Sequence, residues 1–195
     1  MNPATLSLEN QIELTIDLTD DQFFALCQNN RDLKFERTAS GVLLIMSPTG
    51  GNTGRRSLKI GTQLEIWSSQ TKLGEAFDSS TGFKLPNGAN RSPDAAWIQK
   101  ERWQSLTAEQ QEKFVPLCPD FVIELRSESD SLKVLQEKMK EYQENGLKLG
   151  WLIDPKQRRV EIYRPGHPRE TLENITTLSG EKILPGFTLD LSRIW

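Results

Sequence analysis

Strand-like and helix-like stretches are interspersed along this chain without a regular strand-helix-strand repeat, which predicts an α/β or mixed α+β fold built on one mixed central sheet. Three observations carry that expectation. Residues 121–125 form the most strand-like run in the chain, a long amphipathic helix is expected over 130–145 and stopped by Gly146, and a further strand-like run follows at 149–154. The length of 195 residues suits one ordinary domain with a real core. No internal repeat, linker or low-complexity stretch divides it.

In chain order, residues 1–18 read as a loose leader and 19–195 as a single domain. Thr19-Asp20-Asp21-Gln22 makes a capping-box start for a helix carrying Phe23, Phe24, Leu26 and Cys27, which ends near Asn29-Asn30. Strands at 33–37 and 42–46, separated by Thr38-Ala39-Ser40-Gly41, predict a hairpin. The glycine-rich turn from Gly50 to Gly54 breaks the pattern, and Leu58, Ile60, Leu64 and Trp67 then recur at near-helical spacing over about 55–69. Strands are expected at 75–78, 82–85 and 94–98, each bounded by Gly, Pro or Asn. Thr107-Ala108-Glu109-Gln110 opens a short helix to Phe114. After the helix over 130–145, strands at 149–154 and 160–163 precede a terminal stretch in which Pro185-Gly186 leads into 187–191.

Composition excludes much chemistry. One histidine and two cysteines cannot supply a Cys/His zinc cage, and a Ser-His-Asp or Cys-His mechanism would rest on His167 alone. A metal site would have to be built from oxygens. Cys27 and Cys118 allow at most one bridge, which fits a reducing cytosol. No segment approaches the roughly 20 apolar residues of a membrane span, and the first residues lack a signal peptide's basic start and apolar stretch. A soluble, cytoplasmic protein is expected. The 24 Lys and Arg against 27 Asp and Glu give a net charge of −3, which argues against a protein held to nucleic acid by charge alone.

Two strands carry acids in apolar surroundings. Alternation sets Asp94, Ala96 and Ile98 on one face of the first. In the second it sets Phe121, Ile123 and Leu125 against Val122, Glu124 and Arg126. A carboxylate at Glu124 must be paired, hydrated at an edge or bound to a cation, because burying it alone costs several kcal/mol. An ion pair to Arg126 or a lysine is one reading, and a cation site is the other. At about 100° per residue from Leu132, the apolar residues Val134, Leu135, Met139 and Tyr142 span an arc from about 200° to 360°, with Lys138 inside it at about 240°. Lys133 and Lys140 fall on the solvent face. Lys138 either snorkels at the edge of the stripe or reaches the carboxylates of the preceding strands. Two acids on sheet strands and an inward lysine are the ingredients for holding one divalent cation and placing a water.

Met46-Ser47-Pro48, Ser92-Pro93-Asp94, the run from Pro119 to Ser127, the helix with Lys138 and Tyr142, and the run from Gly150 to Pro155 resemble the Uma-type family, a bacterial branch of the PD-(D/E)xK restriction-endonuclease-like superfamily. The resemblance runs from about residue 19 to the C-terminus in the same order. It implies a mixed central sheet flanked by helices, and a phosphodiesterase site in which Asp94, Glu124 and the backbone carbonyl of Leu125 bind magnesium or manganese. The superfamily's usual lysine, two residues after the second acid, is Arg126 here, and an always-protonated arginine cannot serve as a base. In the Uma-type branch the lysine has moved to the next helix, where the helical wheel places Lys138. The implied reaction is hydrolysis of nucleic acid, DNA first, with Lys138 orienting the nucleophile and Arg126 on the phosphate. Glu36 and Glu65 are candidates for an outer ligand or base, beside the reading of each as a solvated carboxylate.

Other features have plainer readings. The Gly50–Gly54 turn with Arg55-Arg56 is either a phosphate cradle or a flexible loop; it lacks a P-loop ending. His167 reads as an exposed turn residue, Asp154 as a turn cap, and Trp97, Trp103, Trp151 and Trp195 as core or interface. Asp120 imitates the superfamily's "PD" but lies only four residues before Glu124, so Asp94 is the expected first acid. Cutting two strands with single-centre subunits suggests a homodimer. The rival expectation is a non-catalytic nucleic-acid-binding or protein-interaction module on the same fold.

Overall fold

The computed structural model describes residues 11–195. The first ten residues of the expected leader lie outside the described residues, and from Gln11 the chain forms a strand. In chain order the elements are β1 (Gln11–Thr15), α1 (Asp20–Asn29), β2 (Lys34–Arg37), β3 (Val42–Met46), α2 (Gly51–Thr71), β4 (Gly74–Asp78), β5 (Phe83–Lys84), β6 (Asn90–Arg91) and β7 (Ala95–Gln99). There follow α3 (Lys100–Gln104), α4 (Ala108–Glu112), β8 (Phe121–Leu125), α5 (Leu132–Glu144), β9 (Leu149–Asp154), β10 (Arg159–Tyr163), β11 (Glu170–Glu173), β12 (Thr177–Ser179) and β13 (Thr188–Asp190). Both expected capping boxes form: Thr19 and Thr107 each accept from the backbone of a glutamine three residues on, whose side chain returns to the cap's own N–H.

The central sheet has the order β11-β10-β9-β8-β7-β4. It is mixed, because β8 and β9 run parallel while the other neighbours are antiparallel. The β8-α5-β9 crossover makes that one parallel pair. The expected alternation of β8 is what is found. Phe121, Ile123 and Leu125 pack with Trp151 against Ile60, Leu64 and Trp67 of α2, while Val122 and Leu152 pack on the other face against Met139 and Tyr142 of α5. Gly150 lets α5 come this close, since a Cβ there would stand 2.5 Å from Met139 Cε and 2.7 Å from Leu147 Cδ2.

The structure differs from the single expected sheet. The β2-β3 hairpin belongs to a second, antiparallel sheet of order β1-β3-β2-β6-β5, with α1 packed over Phe35 and Leu43 through Phe23. Pro93, which has no N–H to give a ladder, separates β6 from β7 and lets the chain pass from one sheet to the other. The second helix also starts earlier than expected. Gly50 caps it, and Gly54 N–H already bonds Gly50 O at 3.1 Å, so the supposed glycine turn is the first turn of α2. At 21 residues α2, not α5 with 13, is the longest helix. Val134, at the edge of the expected apolar arc, is exposed. Among the described residues no helix is long and apolar enough to cross a membrane.

Candidate active site

Sheet register brings the two expected acids together. Ala95 pairs with Ile123 across the β7-β8 ladder, so Asp94, one residue earlier, stands beside Glu124. Asp94 Oδ2 accepts the Leu125 N–H at 2.8 Å, fixing its carboxylate next to the residue whose carbonyl is the third expected ligand. Glu124 projects from the other side of the β8 alternation toward α5 and is 4% exposed. Lys138 reaches it with Nζ 2.8 Å from Glu124 Oε1, and the Tyr142 hydroxyl, one helical turn on, donates to the same oxygen at 3.1 Å. Lys133 and Lys140 face solvent, as the helical wheel requires.

Lys138 is shared. Its Nζ also lies 2.7 Å from Glu36 Oε1 of β2, in the other sheet. Glu36 is 2% exposed and accepts two more donors, the Ser92 N–H at 3.0 Å and Arg91 Nη1 at 3.1 Å. Sequence patterning sees Glu36 only as an acid in or after a strand. The sheet makes it a buried anchor.

These contacts split the two carboxylates electrostatically. Burial pushes the Glu124 carboxyl up to about 7; Lys138 pulls it back, and the charges of Asp94 and Glu36 add to the rise. Burial acts the same way on Glu36, but Lys138 and Arg91 together outweigh it and hold the carboxyl down at about 2. Burial opposes the charge of Lys138, yet Glu124 and Glu36 more than restore it, so the amine is raised above its ordinary value. Tyr142 is raised well above its ordinary value by burial and by Glu124. At neutral pH the lysine is an ammonium and Glu36 a carboxylate too weakly basic to take a proton.

The donor set fits a hard divalent cation with few protein ligands. Among the described residues no three His, Cys, Asp or Glu groups gather as a metal cage. Asp94 and Glu124 each have one oxygen engaged, while Asp94 Oδ1 and Glu124 Oε2 accept no hydrogen bond from the described residues. Magnesium is commonly held by one or two carboxylates with several waters, and these two oxygens suit that role.

Asp94 and Ser92 open onto a cleft of about 1120 Å³ bounded by α1, the β2-β3 hairpin, α2 from Thr53 to Ile66 and the end of β4. Its wall carries Arg31 and Lys34 together with Asp32, Glu65, Asp78 and Asp94. Glu36, Glu124 and Lys138 lie outside this lining.

A family model described as "Putative restriction endonuclease", Uma2, matches residues 20–192. The chain belongs to the Uma2 family. No curated protein matches it in sequence. A solved structure described as "a putative nuclease belonging to DUF820 from Anabaena variabilis ATCC 29413" has the same fold, with a TM-score of 0.74 at 17% identity over 91% of this chain and 97% of that one.

In this Uma2 protein the remaining candidates fall elsewhere. The Arg126 N–H continues the β8-β9 ladder to the Ile153 carbonyl at 2.8 Å, and its side chain is engaged by the scaffold: Nη1 donates to Asp154 Oδ2 at 2.6 Å and Nε to the Asp130 carbonyl at 3.1 Å. Asp154 also accepts the N–H groups of Lys156 and Gln157, the expected turn cap. Asp120 is buried at the opposite end of β8 under Arg102, Lys148 and the Gln99 N–H, a structural anchor. Glu65 is exposed on the cleft wall. Arg56 is taken by the Ile194 carbonyl, Arg55 is exposed, and His167 sits in an exposed turn. Trp97 and Trp151 are core, with Trp103 and Trp195 packed on its edges. Arg91, Ser92 and Glu141 of this network escape pattern reading, because only the pairing of two sheets with α5 gives them their partners.

Proposed function

We propose that this Uma2 protein is a divalent-cation-dependent endonuclease that hydrolyses phosphodiester bonds of DNA. One observation carries the reading: Asp94, just before β7 and on the cleft wall, stands beside Glu124 of β8, and Lys138 of α5 is paired to that second acid. Family membership supports a nuclease at the coarser level.

In the proposed reaction a water oxygen bonds to phosphorus, the bond to one sugar oxygen breaks, and that oxygen leaves with a proton. Asp94 and Glu124, with the Leu125 carbonyl, would hold magnesium or manganese, which when bound supplies charge neutralisation at the phosphate and a more acidic water. Lys138 holds its proton. Two of its three N–H donors are spent on Glu36 and Glu124, and the third is left for the nucleophile or a phosphate oxygen. Its part is orientation and electrostatic stabilisation of the developing charge, not proton abstraction. Glu36 and Tyr142 act through it and through Glu124 as positioning groups. We assign Arg126 to the scaffold through Asp154. We further propose a homodimer, so that two centres address two strands, working in the cytoplasm.

The test is cleavage of supercoiled plasmid by the purified protein with magnesium or manganese and with EDTA. Metal-dependent nicking or linearisation, abolished in Asp94→Ala and in Lys138→Ala, is the expected result. Cleavage that survives both substitutions overturns the mechanism, and metal-independent DNA binding without turnover favours the non-catalytic module. Light scattering of the same preparation decides between one chain and two.

A further inference from the structure

Four charged side chains close a clasp between α5 and the five-stranded sheet. On α5, Lys138 and Glu141 stand three residues apart and so share a face. On the sheet, Glu36 of β2 and Arg91 of β6 lie opposite them. Lys138 Nζ is 2.7 Å from Glu36 Oε1, Arg91 Nη1 is 3.1 Å from Glu36 Oε2, and Arg91 Nε is 2.6 Å from Glu141 Oε2. The helix backbone completes the circuit. The Arg91, Glu36 and Lys138 side chains are all nearly buried, and Glu141 is 17% exposed.

Such a group is a poor way to gain stability, since an apolar cluster of similar volume would serve as well; what it fixes is position. An ammonium on a four-carbon stem is loose by itself, whereas a guanidinium is a planar fork that grips two carboxylates at set angles. Arg91 uses both edges of that fork, one toward the sheet and one toward the helix. The chain then continues through Ser92, whose N–H also holds Glu36, to Asp94, whose carboxylate is tied beside Glu124. One four-residue segment therefore sets the lysine side and the acid side of the site together.

We propose that Arg91 is a positioning residue: by gripping Glu36 and Glu141 at once it fixes Lys138 against Glu124. The catalytic consequence rests on the nuclease reading; the placement of the lysine does not.

The experiment uses the full chain as wild type, Arg91→Ala, Arg91→Lys and Glu141→Gln, each checked for folding by circular dichroism. Limited reductive methylation, quantified by peptide mass spectrometry, reads Lys138 with the exposed Lys133 and Lys140 as internal references. Lys138 is expected to be protected in the wild type and to label roughly tenfold faster in Arg91→Ala, the change in open population that follows loss of a charge-assisted hydrogen bond, while the two references stay unchanged. In plasmid cleavage, kcat falls by about 10²-fold at nearly constant KM, as for a misplacement of about 1 Å, and added guanidinium restores part of it. Unchanged Lys138 labelling in a folded Arg91→Ala protein overturns the proposal, as does equal acceleration at all three lysines. If Arg91→Ala does not fold, the labelling of Arg91→Lys and Glu141→Gln decides in the same way. A wild type that never cleaves sinks the nuclease reading and leaves the labelling result standing.

Discussion

Replacing Lys138 by methionine removes one charge, keeps most of the volume, and leaves two buried carboxylates that fare differently. Glu36 retains Arg91 and the Ser92 N–H, so it stays an ionised, paired group. Among the described residues, Glu124 retains only the Tyr142 hydroxyl. Truncating one partner of a buried pair commonly costs about 3–5 kcal/mol, but Glu124 has an escape, because burial already raises its carboxyl to about 7. A carboxyl whose folded pKa is raised binds an extra proton in the native state, so stability falls as pH rises from its unfolded value toward its folded one. In the wild type that fall ends near 7; without Lys138 it continues. The penalty at pH 6 should therefore be only about 1–2 kcal/mol of lost hydrogen bonding. By pH 9 two further units add about 2.7 kcal/mol, at about 1.4 kcal/mol per unit. Urea denaturation of wild type and Lys138→Met at both pH values, with EDTA present throughout, measures the difference. A penalty of equal size at the two pH values would refute the assignment of Glu124 as the group that takes the strain.

Three further outcomes are expected. Gly150→Ala should cost about 1–3 kcal/mol, because its Cβ enters the space of Met139 and Leu147, and part of that loss should return in the Gly150→Ala, Met139→Ala double variant measured by the same denaturation. Glu36 has a depressed folded pKa, so its stabilisation is present above the ordinary 4.5 and is lost as pH falls toward about 2; Glu36→Gln should flatten the acid limb of a stability-pH profile by up to about 1.4 kcal/mol per unit in that window. Magnesium at a hundredfold excess over its dissociation constant should stabilise the wild type by about 2.7 kcal/mol in a thermal-shift titration, and Asp94→Asn should abolish the shift.

How much of this was legible in the sequence follows from the range of each interaction. The capping boxes at Thr19 and Thr107, the alternation of Phe121 to Leu125 and the inward face of Lys138 are set by neighbours within a turn or a strand, and they appear where spacing puts them. The start of α2 was misplaced because three glycines read locally as a turn, whereas a helix long enough to pack Ile60, Leu64 and Trp67 on the sheet tolerates two of them in its first turn. The second sheet is not legible because β6 has only two residues, too short to show a period, and β1 falls within the stretch that reads as a leader. The site divides along the same line. Asp94 and Glu124 stand out as acids in apolar strands, but Arg91 and Glu141 look like any surface charges until β6 meets α5. Arg126 shows only as the residue after a strand until β9 brings Asp154 opposite it.

The charge balance ties the site to the whole chain. Among the described residues, Asp94, Glu36, Glu124 and Glu141 form one connected set whose ion pairs are to Lys138 and Arg91, four carboxylates against two paired cations. Fully ionised, that set carries two more negative charges than positive ones, and the charges of Asp94 and Glu36 add to the burial that raises the Glu124 carboxyl. The cleft in front adds no remedy, since its lining has two cations, Arg31 and Lys34, and four acids. A polyanionic strand would meet net repulsion on such a wall. A divalent cation at Asp94 and Glu124, as proposed, would offset that excess, favour the ionised form of Glu124, and give an incoming phosphate a positive centre on a chain of net charge −3. In the proposed nuclease the cation would serve substrate binding as well as bond cleavage, because the same excess of negative charge opposes both.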